Sequence, residues 1–205
     1  LVKEPRAPGG VELHVESIDW AYAGEPYPIN EDAAVADSEY LLDVRHLWLR
    51  SRKMQAVLKI RHTVFGALHE YFRKNGFYEV QTPMFITAAV EGGATLFKVD
   101  YFGQPVYLTQ SSQFYLEALI FSLEKVYVVA PSFRAEPSRT RRHLTEFWHA
   151  EMEIAWADIE DAARVGEEVI SYVVEKVLQV RQEELKLLGR RTEPLERTKP
   201  PFYRV

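Results

Sequence analysis

Between Arg52 and Asn75 apolar side chains recur at Val57, Ile60, Val64, Leu68, Tyr71 and Phe72. Steps of three and four put them on one stripe of a helix, with Ser51 as its N-cap and Gly76 as its terminator. Phe77–Val80 then reads as extended chain, stopped by Pro83. Leu96–Tyr101 and Pro105–Leu108, either side of Gly103-Gln104, predict a hairpin. A helix is expected over Ser112–Leu123, a buried strand over Val126–Ala130, and two further strands over Ser132–Glu136 and Phe147–Trp156. Ile159–Leu188 carries Ala162, Val169, Val173, Val177, Leu178 and Leu185 at helical spacing and predicts a single long amphipathic helix. The tail from Gly189 has three prolines and no periodicity. A helix, several hairpins and a closing helix together imply an α+β fold, an antiparallel sheet with helices to one side.

Ahead of this body, Val11–Val15 alternates apolar and polar residues after the turn residues Pro8-Gly9-Gly10. It reads as one strand, the last of a domain whose beginning is absent, since a lone strand is not stable. Residues 21–51, with Gly24, Pro26, Pro28 and several acids, read as a hinge, and 52–205 as the main domain.

Composition narrows the function classes. The chain has 205 residues, a formal charge of -5 and no cysteine, which excludes disulfides, thiolate metal sites and cysteine nucleophiles and fits a cytoplasmic protein. An acidic total argues against a general nucleic-acid coat. No apolar run reaches membrane length, and Leu1–Gly10 lacks both an initiator methionine and a signal-peptide pattern. No glycine-rich phosphate loop is present, so a nucleotide would have to be held by side chains on strands.

The stretch from Phe133 to Glu153 carries the chemistry. Side chains alternate across a strand, so Arg134 and Glu136 share a face opposite Phe133 and Ala135. In the next strand Trp148, Ala150, Met152, Ile154 and Trp156 form an apolar face, and Phe147, His149, Glu151 and Glu153 the other. If the two strands pair, one side of the sheet presents Arg, Glu, Phe and His. By alternation alone such a face simply meets water. The loop between the strands adds Arg139, Arg141, Arg142 and His143 within five positions, a concentration suited to phosphate oxygens.

This stretch, "FRAEPSRTRRHLTEFW", closely resembles the second signature motif of class II aminoacyl-tRNA synthetases, and its wording looks like the asparaginyl branch of the aspartyl/asparaginyl/lysyl subgroup. "NGFYEVQTP" (Asn75–Pro83) is similar to the family's first motif, and "VEGGATLFKVDYFGQPVYLTQSSQFYLE" (Val90–Glu117) to its amino-acid-binding part. The resemblance implies ATP-dependent activation of asparagine and its transfer to tRNA(Asn). It assigns Arg134 to the ATP α-phosphate and the amino-acid carboxylate, and Glu136 to the adenine amino group. Arg142, His143 and Leu144 are implied at the ATP site, Arg142 and His143 on the phosphates, with Phe147 stacked on adenine. Glu91 and Gln113 are implied at the substrate ammonium, within an amino-acid site that also takes in Gln110, Ser112, Arg134 and Glu151. Taken singly, each of these is more often a solvated loop residue, a helix cap or, for Phe147, a core aromatic.

Charge separates asparagine from aspartate. Aspartyl relatives carry Gln-Ser-Pro-Gln-x-x-Lys, whose lysine pairs with the substrate carboxylate; here that position is Leu116. Glu151 stands where those relatives have Asp, and a carboxylate accepts from a carboxamide NH2 while repelling aspartate. The family also implies Mg2+ as a cofactor, with ligands expected beyond residue 205 and none within the chain, and a homodimer through residues 52–83 with Phe77 and Val80 as its apolar seam. Residues 1–20 are implied to be the remnant of an anticodon-binding OB-fold. The family's third, glycine-rich motif is missing, so the chain is expected to be a fragment with little aminoacylation of its own. The rival readings are a non-discriminating aspartyl enzyme, an asparagine-forming relative and a non-catalytic module.

Overall fold

The structure is a computed structural model that describes residues 1–7, 9–25, 27–29, 38–87, 95–138, 140 and 142–203, the Ser38 side chain excepted. It divides into two compact units, residues 1–50 and 51–205.

In the first unit, β1 (Val2–Lys3) pairs antiparallel with β2 (Val11–Glu12). The expected strand Val11–Val15 therefore stops at Glu12 and has a partner within the chain. Leu13 and Val15 alternate as a strand should, but both are exposed, with nothing packed on them to hold the pattern in a sheet. Two short helices close the unit, α1 (Ser38–Asp43) and α2 (Arg45–Trp48).

The second unit opens on α3 (Arg52–Lys74). The Ser51 hydroxyl accepts from the Met54 N–H at 3.2 Å, which caps the first turn. Gly76, at φ +79°, ends it, and the Phe77 N–H returns to the Phe72 carbonyl at 3.0 Å. The chain then gives β3 (Tyr78–Glu79), β4 (Phe85–Ile86), β5 (Lys98–Tyr101) and β6 (Gln104–Leu108). α4 (Gln113–Leu123) follows, then β7 (Lys125–Phe133) and β8 (Glu146–Ile154).

Two three-stranded sheets result, β3-β7-β8 and β4-β6-β5. The first is mixed: β3 runs parallel to β7, while β7 and β8 pair antiparallel over nine residues each. The strands expected over Val126–Ala130 and Ser132–Glu136 are one strand, because Pro131 does not interrupt it. Tyr127 and Phe133 turn their main-chain groups away from β8, toward Val80 and Thr109. By the two-residue period Pro131 does the same, so its missing N–H costs no bond to β8.

Each face of this sheet has its own core. On one, Tyr71, Phe72, Phe77 and Tyr127 cluster with Met152, Ile154, Val165, Val169 and Tyr172; Phe72 stacks on Tyr127 with ring centres 4.6 Å apart. On the other, Leu116, Val126 and Val128 pack with Val80, Leu119, Ile120 and Leu123. Helices therefore cover both faces, not one, and Leu116 is a core residue with no exposed surface. Phe77, expected in a dimer seam, is buried in this chain's own core, and Val80 packs against the Leu116 cluster. The exposed apolar residues of 52–83 are instead Val57, Leu58 and Tyr78.

The helix expected over Ile159–Leu188 is two. α5 (Ile159–Val180) starts on a capping box between Asp158 and Asp161, and α6 (Gln182–Leu187) follows a break at Arg181. Arg181 leaves helical geometry, at φ −127° and ψ 28°, and its Nε donates to the Thr63 hydroxyl of α3 at 2.7 Å. The redirected turn buries Leu185. One more turn, α7 (Glu193–Glu196), lies in the tail that lacks periodicity. No helix among the described residues is long and apolar enough to cross a membrane.

Candidate functional site

The register of β7 on β8 sets the site. Val128 lies opposite Glu151, Ala130 opposite His149 and Ser132 opposite Phe147. Directly opposed residues share a face, so these side chains stand together on the α4 side of the sheet. Pairing continues past the last strand residue, where the Arg134 N–H donates to the Thr145 carbonyl at 2.9 Å and the Ala135 N–H to the Thr95 carbonyl at 2.7 Å. Thus the alternation survives to Ala135 although the strand ends at Phe133 rather than Glu136. Arg134 emerges on the Phe147 face, its guanidinium carbon 5.7 Å from the ring centre. Trp156 does not extend the apolar face of β8 as expected: the strand ends at Ile154, and Trp156 sits exposed at φ +64°.

Beside this pair Ser111 and Ser112 bind to Glu151. The Ser111 hydroxyl donates to Glu151 Oε1, and the Ser112 N–H reaches Oε1 at 3.1 Å and Oε2 at 3.0 Å. His149 Nδ1 stands 3.5 Å from Oε2, and 3.4 Å from the Ser132 hydroxyl. The Ser112 hydroxyl meets Thr82 Oγ1 at 2.7 Å, which ties the start of α4 to the chain after β3. Gln110 is buried and donates through Nε2 to Thr95, to its Oγ1 at 2.6 Å. Its Oε1 has no hydrogen-bond partner among the described residues, so a buried acceptor is left over beside Thr95. Gln113 is turned along α4, its Nε2 donating to Glu117 at 2.7 Å.

Glu153 extends the acidic side of this face. Burial, followed by the charges of Glu117 and Glu151, pushes its carboxyl above the ordinary carboxylate range. Glu136, Arg142, His143 and Leu144 are exposed on the segment that joins β7 to β8. A turn orders part of it, with His143 Nδ1 2.5 Å from the Thr140 hydroxyl. Arg139, Arg141 and Glu91 lie outside the described residues.

The structure therefore brings Arg134, Phe147, Glu151 and Ser112 to one side of the sheet, with Gln110 bonded to Thr95 next in the chain. Three neighbours of this set, Thr82, Thr95 and Ser132, are absent from the sequence-based selection. Ser132 shares the parity of Arg134 and is accessible to the same alternation; Thr82, between β3 and β4, and Thr95, ahead of β5, reach the site only through contacts with distant residues and carry no local signal. Among the described residues no group of three or more His, Asp or Glu is arranged to hold a metal ion. These residues do not build a magnesium site.

Comparison with known proteins follows the same lines. A family description, tRNA synthetases class II (D, K and N), matches residues 37–205. The asparagine–tRNA ligase of Thermoplasma acidophilum is 52% identical over all 205 residues, which span 47% of that protein. That of Pyrococcus horikoshii is 50% identical over 98% of the chain, which spans 46% of it. The crystal structure of asparaginyl-tRNA synthetase from Pyrococcus horikoshii complexed with asparaginyl-adenylate superposes with a TM-score of 0.90 at 50% identity, over 98% of this chain and 46% of that one. The Entamoeba histolytica enzyme in complex with asparaginyl-adenylate gives a TM-score of 0.70 at 36% identity, over 78% of this chain and 35% of that one. The chain thus spans about half the length of the curated relatives it matches.

Proposed function

The chain belongs to the class II tRNA synthetases of the D, K and N group, and on that premise we propose that it activates asparagine with ATP and passes it to tRNA(Asn). The observation that carries this reading is the shared face of Arg134, Phe147 and Glu151, with the start of α4 bonded to Glu151.

In this reading asparagine lies between Gln110 and Glu151, with its carboxylate toward Arg134. Attack of that carboxylate on the α-phosphorus forms the mixed anhydride and expels pyrophosphate. Negative charge grows on the α-phosphoryl oxygens as it does so, and a guanidinium fixed over Phe147 stabilises that charge more than it stabilises the ground state. Phe147 stacks on adenine, Glu136 accepts from the adenine amino group, and Arg142, His143 and Leu144 border the phosphates. Glu91, Gln110 and Gln113 take the substrate ammonium. Gln113 does so through Oε1, since its Nε2 is donated to Glu117. The Gln110 Oε1, without a partner among the described residues, supports a donor from the substrate at that point.

Glu151 selects the side chain. A carboxylate accepts a hydrogen bond from a carboxamide NH2, whereas an aspartate side chain facing it would bury two like charges. The remaining assignments are also proposals: Mg2+ as the companion of ATP, a cytoplasmic setting, and an OB-fold origin for residues 1–20 followed by a hinge over 21–51. A homodimer through residues 52–83 is supported by the exposed Val57, Leu58 and Tyr78.

Pyrophosphate exchange by the full natural chain tests the proposal. Exchange is expected with asparagine and not with aspartate. Equal exchange with both amino acids would replace this reading with a non-discriminating aspartyl enzyme, and exchange with neither would remove it.

A further inference from the structure

Glu151 is held more tightly than a residue that only has to meet a substrate. Its side chain is 11% exposed, and its Oε1 takes the Ser111 hydroxyl and one arm of a bifurcated Ser112 N–H, at 3.1 Å. Oε2 receives only the second arm of the Ser112 N–H, at 3.0 Å. His149 Nδ1, at 3.5 Å, lies past good hydrogen-bond length. Oε1 is therefore the more heavily engaged oxygen, and Oε2, which takes no hydroxyl, keeps more accepting capacity on the side of His149.

We propose that Ser112 is a positioning residue for amino-acid selection, whose main-chain N–H, with the Ser111 hydroxyl, clamps Glu151 so that Oε2 is turned to the substrate carboxamide. The inference deepens the proposed function and rests on it. Ser112 precedes the first residue of α4, so the N–H that holds Glu151 belongs to the helix start, while its hydroxyl is engaged separately with Thr82. A glutamate without the clamp has rotamer freedom that must be lost on binding asparagine. It could also swing away from an incoming carboxylate, and would then no longer reject aspartate. The clamp removes both options.

Proline separates the N–H from the hydroxyl. Ser112→Pro removes both, and Ser112→Ala removes the hydroxyl alone. Pyrophosphate exchange is measured on the full natural chain at varied asparagine, aspartate and ATP. Ser112→Pro is expected to raise the KM for asparagine about 10- to 100-fold above that of Ser112→Ala, the scale of a hydrogen bond to a charged group. Its KM for ATP should stay within about twofold, and its preference for asparagine over aspartate should narrow. If Ser112→Pro does not fold, Ser111→Ala takes its place: it removes one donor without touching the main chain, and should raise the asparagine KM about 5- to 20-fold with ATP KM held. An asparagine KM for Ser112→Pro equal to that of Ser112→Ala, or for Ser111→Ala equal to wild type, overturns the clamp. Wild-type protein that shows no asparagine-dependent exchange overturns the underlying function instead, and the two failures are distinct.

Discussion

The Arg134 guanidinium stands 5.7 Å from the centre of the Phe147 ring, across the open end of the β7–β8 pair. A cation over an aromatic face is attracted to it by about 0.5–2 kcal/mol, and the contact limits where either group can go. A planar base laid on the outer surface of Phe147 would carry its phosphates toward Arg134. The pair therefore behaves as one unit, and its two members should fail in different ways.

Loss of the ring weakens nucleotide binding first. Phe147→Ala removes a stacking surface worth about 1–3 kcal/mol and leaves Arg134 without its support. The expected outcome is a KM for ATP raised about 5- to 100-fold, with a smaller fall in kcat, in exchange kinetics at saturating asparagine.

Glu153 should report on pH. Its carboxyl is raised by burial and by Glu117 and Glu151, so the folded state favours the protonated form more than the unfolded state does. The stabilisation is fully present below the unfolded carboxyl value, about 4.3, and is lost as pH rises through the folded value. Glu153→Gln should therefore melt at a higher temperature than wild type at pH 7, and the difference should vanish below about pH 4. Thermal denaturation without substrates checks this, and an equal gain at both pH values would contradict the assigned cause.

Leu116 should matter for stability before specificity. It is fully buried with Val126 and Val128, so Leu116→Ala leaves a cavity and should cost about 2–5 kcal/mol of unfolding free energy. Denaturant titration measures it. A cost under about 1 kcal/mol would mean that α4 does not seal this face of the sheet.

The comparison of sequence with structure has a physical pattern. Periodicity was sufficient for α3 and the β5–β6 hairpin, because each buries one stripe or one face against a neighbour. The same parity rule put Phe147, His149 and Glu151 on one face, and the register bears that out. It failed where a residue's fate depends on distant partners. Arg181 lies in an unbroken helical pattern, yet its bond to Thr63, 118 positions earlier, accompanies the break. Val11–Val15 alternates well but has nothing to pack on after Glu12. Leu116 was informative only as a missing cation, and its core position follows from α4 lying on the β7 face, which no local pattern announces. Gln110 and Ser112 were chosen by resemblance. Their partners Thr95, Thr82 and Glu151 come from three other segments, and spacing along the chain does not encode that convergence.

The central claim is that Arg134 stabilises charge at the α-phosphorus. Asparagine-dependent pyrophosphate exchange by Arg134→Ala, in the full natural chain and at saturating substrates, tests it most directly. The account predicts a fall of about 100- to 1000-fold or more in kcat, the scale of losing one pre-organised donor to transition-state charge. Exchange within about threefold of wild type would contradict it.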